Sequence, residues 1–82
     1  MSDPTADSGR FRKDASRALE RAADDEPIFV LRARDLIAPE TVREWAYRAA
    51  KAGAPREKVV EARACADAME DWQLEHDRKV PD

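Results

Sequence analysis

A chain of 82 residues with 15 Lys and Arg against 18 Asp and Glu, net charge -3 and 40% charged side chains, has room for one domain and few core-forming groups. Besides the initiator Met, 17 side chains are large and apolar and 16 more are Ala, which favours helix but has little area to bury. These numbers exclude a membrane span, since the longest apolar run, Ile28–Leu31, falls far short of about 20 residues, and a single cysteine, Cys65, excludes an internal disulfide.

The polar, acidic N-terminus lacks the hydrophobic region of a signal peptide, so the protein is expected in the cytoplasm. Residues 1–9 carry Pro4, Gly9 and three small hydroxyl residues and are expected to be a disordered tail, followed by a single helical domain over 10–77 and a C-terminal tail over 78–82. From Ser8 or Gly9 a helical pattern starts, its narrow apolar stripe formed by Phe11, Ala15, Ala18 and Ala22. It is locally basic, with Arg10, Arg12, Lys13, Arg17 and Arg21 against Asp14 and Glu20. Asp24, Asp25 and Pro27 close it.

The β-branched and aromatic content of Ile28–Leu31, with Arg32 and Arg34 alternating around Ala33, predicts a short extended or strand segment over 28–33; a short helix capped by Asp25 and Pro27 is the alternative. Nothing else reads as strand, and a lone strand leaves its backbone groups unpaired. Its expected partner is therefore the same segment in a second copy of the chain.

Pro39 opens a second helix over 39–52, with Val42, Trp45, Ala46 and Ala49 at i, i+3, i+4 and i+7, Lys51 in the last turn and Gly53 at the stop. Pro55 opens a third over 56–75, with Val59, Ala62, Ala66, Met69 and Trp72 or Gln73 on its inner face. So short a connection predicts an antiparallel hairpin with an Ala-rich seam. The fold class is thus mainly α: a three-helix domain with a helix hairpin and one extended segment paired in an oligomer. The third helix outruns the second, which places Trp72 where it can cover Ile28–Leu31 or the first helix. Ile28, Phe29, Leu31 and Trp72 are the expected interface residues.

Few residues suit catalysis. One His (His76), one Cys, no Asn, three Ser and two Thr do not assemble a nucleophile with an oriented base, so an enzyme is not expected. His76 reads as solvated and Cys65 as a small apolar group. No His or Cys pair has ligand spacing and no calcium-type loop occurs, which gives no metal site, and two glycines preclude a phosphate loop; no cofactor is expected.

Arginine and aromatic residues around the second helix stand above this background. Arg32, Arg34, Arg43, Tyr47 and Arg48, with Asp35 as a base- or ribose-directed carboxylate, form a candidate site for a small anionic ligand such as a nucleotide, because guanidinium groups grip phosphates and aromatics stack on bases. Ordinary helix-surface pairs, Arg43 with Glu40 and Arg48 with Glu44, explain the same residues without a ligand. The acidic third helix, with Glu61, Asp67, Glu70, Asp71, Glu75 and Asp77 against Arg63, suits a basic protein surface instead. DNA or RNA binding is not expected from the net charge.

Pro27-Ile-Phe-Val-Leu-Arg-Ala-Arg-Asp35, Ala38-Pro39, Val42-Arg-Glu-Trp-Ala46 and Glu61-Ala-Arg-Ala-Cys-Ala-Asp-Ala-Met-Glu-Asp-Trp72 together resemble a group of short phage and prophage reading frames, over residues 25–73. The resemblance implies a small accessory protein working in the host cytosol, and carries over no functional residue. By analogy to such proteins as a class, it implies an oligomeric sponge that sequesters a nucleotide immune signal to counter host defence, or an inhibitor or adaptor that docks on a host protein.

Overall fold

A computed structural model describes residues 4–78 and 80. It contains three helices, α1 (Pro4–Arg21), α2 (Ala38–Lys51) and α3 (Arg56–Glu75), and the chain divides into two compact units, residues 1–30 with α1 and residues 31–82 with α2 and α3. The division falls just beyond a local turn at 23–26, where Glu26 N–H donates to Ala23 O at 3.0 Å and Ala23 N–H donates to Glu26 Oε1 at 3.2 Å. Pro27 follows at once and prevents the helix from resuming.

In the first unit the helix begins at Pro4, inside the stretch expected to be a disordered tail, while residues 1–3 lie outside the described residues. Proline at the first helical position sacrifices no hydrogen bond, so helix can extend N-terminally past Gly9. Ile28, Phe29 and Val30 are exposed, Phe29 at 87%. Over 28–33 no strand occurs among the described residues, and the pairing expected of that segment is not shown. A strand needs a neighbour for its N–H and C=O groups, and no backbone hydrogen bond joins residues 27–31 to another described residue. Ala33 and Arg34 instead lie in a turn, closed by Asp35 N–H to Arg32 O at 3.0 Å, and a second turn, Ala38 N–H to Asp35 O at 3.0 Å, delivers the chain into α2.

The second unit is a helix hairpin. Pro39 sits in the first turn of α2, whose start is further tied by Thr41 Oγ1 donating to Ile37 O at 2.9 Å. Its end is a full Schellman arrangement: Gly53 N–H donates to Ala50 O at 3.2 Å and Ala54 N–H to Ala49 O at 3.0 Å. Gly53 adopts a φ of +90°, the left-handed conformation that a Cβ disfavours, which makes this glycine the punctuation that reverses the chain. Pro55 then caps α3, its carbonyl receiving Lys58 and Val59 N–H.

What the hairpin buries is small: Ala38, Ala46, Val59 and Ala66 are the enclosed apolar residues, and no large side chain is completely enclosed. Ala seams let two backbones approach closely and gain dispersion contacts, but supply little apolar area. Trp45, assigned to the inner stripe from its spacing, is 49% exposed. At 100° per residue the enclosed face of α2 centres on Ala46, Ala49 and Val42, and Trp45 falls about 70° to one side. With 20 residues against 14, α3 extends roughly 9 Å past α2. That overhang carries Trp72 and Gln73.

Candidate functional site

One side chain holds the turn before α2. Gln73, 8% exposed, is the buried polar residue among those described. Its Nε2 donates to Ala33 O at 2.8 Å and to Asp35 O at 2.9 Å, one N–H to each carbonyl flanking Arg34. The last turns of α3 thereby fix the 32–35 turn, with Arg32 and Arg34 exposed and Asp35 half-buried. Neither arginine ion-pairs with another described residue.

The remaining candidates are already engaged within the chain. Arg43 reaches across the hairpin, donating from Nη2 to Asp67 Oδ1 at 2.8 Å and pairing through Nη1 with Glu70. Hydrogen bonds donated first to Asp67 and then to Glu70 raise the Arg43 guanidinium above its ordinary pKa, so it stays charged wherever the protein is folded. Arg48 Nε donates to Glu44 Oε1 at 2.8 Å, an i,i+4 pair on one helix. Tyr47 is exposed, with Lys51 Nζ 4.8 Å from its ring centroid. Arg43 and Tyr47 share a face, but Arg48 lies about 140° round the helix from Arg43. Four of the six candidates thus form two groups: the latched turn with Arg32, Arg34 and Asp35, and the α2 edge where Arg43 serves the hairpin.

Trp72 is half-buried, its indole stacked on the His76 imidazole with centroids 3.9 Å apart and planes 4° from parallel. His76 Nδ1 lies 2.9 Å from Trp72 O; a carbonyl only accepts, so this nitrogen carries a proton. The pair caps the end of α3, which leads into an extended residue at His76. Leu31 and Cys65 are half-buried.

The outer face of α3 was read from sequence as acidic only. The structure adds apolar side chains to it: Val60 and Leu74 are exposed, Leu74 at 79%. Val60, Asp67, Asp71 and Leu74 fall at i, i+7, i+11 and i+14, within about 60° of one another around the helix. This is a stripe about 21 Å long with carboxylates between two apolar ends. Helical spacing was available in the sequence, but Val60 and Leu74 were absent from the inner stripe and so attracted no role.

On α1, Gly9, Arg10, Lys13, Asp14 and Arg17 line an open cavity of about 460 Å³. Its charges are partly met locally, with Asp14 3.8 Å from Arg17 and the Arg10 guanidinium 4.7 Å over the Phe11 ring. Among the described residues no group of three or more His, Cys, Asp or Glu is arranged to hold a metal ion, and no helix is long and apolar enough to cross a membrane. No family model, curated protein or solved structure matches the chain.

Proposed function

We propose that the protein is a non-enzymatic accessory protein that works as a homo-oligomer and docks on a partner protein through the outer face of α3, in the phage context the sequence resemblance implies. The observation that carries the docking face is the stripe of Val60, Asp67, Asp71 and Leu74, where exposed apolar side chains flank carboxylates. Asp71 and neighbouring Glu75 are exposed and form no ion pair with a described residue, so their charge is available to a basic surface. Leu74 supplies the apolar anchor that a charged rim alone lacks. The oligomer is supported by the balance of burial: among the described residues no large side chain is completely enclosed, whereas Phe29, Val30, Trp45, Tyr47 and Leu74 are among those exposed.

Capture from a bacterial lysate tests the docking face. The wild type should retain a partner that both Leu74→Asp and the pair Asp71→Lys with Glu75→Lys lose, all three proteins keeping the same helical circular dichroism. Equal capture by the variants, or none by the wild type, defeats this reading. Glu70 is left intact because it holds Arg43.

A second reading, sequestration of a small anionic ligand such as a nucleotide, is favoured by Arg32 and Arg34, which the Gln73 latch presents exposed and without a carboxylate partner among the described residues. Guanidinium pairs of this kind suit phosphate. Thermal stabilisation by a nucleotide, lost in Arg34→Ala, would support it over docking by α3.

A further inference from the structure

The oligomer proposed above needs an interface, and the segment joining the two units supplies one with its own register. Residues 27–31 carry strongly β-forming side chains, have no backbone hydrogen bond to another described residue, and leave Ile28, Phe29 and Val30 exposed. Such a segment is a template for strand pairing with another chain. Its charges choose the partner. Acidic Asp24 and Glu26 lie five and three residues before Phe29, and basic Arg32 and Arg34 lie three and five after it, with apolar residues between.

We infer that residues 27–31 pair antiparallel with the same residues of a second copy, in register about Phe29, while the Glu26 N–H stays with Ala23 O of its own chain. In that register Glu26 of each copy stands opposite Arg32 of the other, Ile28 opposite Val30, and Phe29 opposite Phe29. All the charged and β-branched members, Glu26, Ile28, Val30 and Arg32, fall on one face of the ribbon, because side chains alternate.

Pro27 fits as well. When Phe29 faces Phe29 as a non-hydrogen-bonded pair, the alternation puts Pro27 and Leu31 in the next non-hydrogen-bonded position, where a missing N–H forfeits nothing. Other arrangements lose these terms. Sliding the register by one residue in one direction puts Arg32 opposite Pro27, and in the other sets Leu31 against Glu26. A parallel pairing sets Glu26 on Glu26 and Arg32 on Arg32. The dimer so formed neutralises Arg32 and therefore competes with anion capture by that residue.

Sedimentation of the full chain tests the pairing through charge reversal. Glu26→Arg and Arg32→Glu are each expected to raise the dimer Kd about tenfold or more, since every dimer then holds two like-charge pairs. The double variant, and an equimolar mixture of the two single variants, are expected to recover wild-type association, because both restore opposite charges across the ribbon; the recovery also shows that the single variants fold. Single variants that associate as tightly as an oligomeric wild type overturn the pairing and leave the oligomer standing on another surface. A wild type that is monomeric throughout overturns both.

Discussion

Replacing Gln73 with leucine is expected to lower stability by about 2 kcal/mol, or roughly 10 °C in Tm for a domain of this size. The reason is the asymmetry of hydrogen bonding. The Gln73 amide donates to Ala33 O and Asp35 O at 2.8 and 2.9 Å from a position 8% exposed. Asp35 O keeps the Ala38 N–H, but no other described hydrogen bond reaches Ala33 O. Leucine fills the space and leaves that carbonyl without its donor, at the full desolvation penalty. Glutamate is a sharper probe, being nearly the same shape with acceptors where the donors stood.

At neutral pH Gln73→Glu is expected to cost about 3 kcal/mol, because a carboxylate would face two carbonyl oxygens. Folding then favours the protonated form, which raises the pKa of the introduced acid in the folded state. Its protonated form is the one the fold accommodates, so the deficit shrinks as pH falls through the carboxylate range and reaches its full size above it. Thermal melts between acid and neutral pH read this directly. A Gln73→Leu variant within about 0.5 kcal/mol of wild type, the scatter of surface substitutions, means that the latch does not hold the turn.

Ala46→Leu carries the second large effect. Ala46 is 0% exposed on α2, and Ala66 is likewise 0% exposed on α3, so the seam of the hairpin has no space for three further heavy atoms. Overpacking a close helix contact is expected to cost about 2 to 3 kcal/mol. Leucine forms helix nearly as well as alanine, so the loss cannot be ascribed to α2 itself. Ala50→Leu is the matched control: Ala50 is exposed on the same helix, and its substitution should be nearly neutral. Equal effects at the two positions in denaturant unfolding would contradict the close seam.

The hairpin was legible because its punctuation is chemical: Pro39 and Pro55 tolerate only the start of a helix, and Gly53 supplies the positive φ that ends one. The three-helix count was legible for the same reason, although α1 starts at Pro4 and not at Ser8 or Gly9. Less legible were the features that depend on what stands opposite. Periodicity put Trp45 among the inner residues, but the centre of the buried face is set by α3, and small alanines took it. Arg43 and Arg48 look alike as neighbours in sequence; helix phase separates them, and the Arg43 partners Asp67 and Glu70 come from the other arm of the hairpin.

Residues 28–33 show the same limit from the other side. Their β-forming character was plain, but strand is a property of a pair, and the chain offers no second member among its described residues. Gln73 was visible as a glutamine on the inner face of α3. Its two acceptors, Ala33 O and Asp35 O, are backbone groups 40 and 38 residues away, which no side-chain pattern announces.

Association of the chain with itself underlies the proposed function, because the hairpin encloses mainly small residues such as Ala38, Ala46 and Ala66, and Phe29 in the other unit is 87% exposed, so both lack cover that a second copy can supply. Native mass spectrometry of the untagged wild-type chain at micromolar concentration tests it most directly: the account predicts a dimer or a higher multiple of 9.3 kDa, and a monomer alone would contradict it.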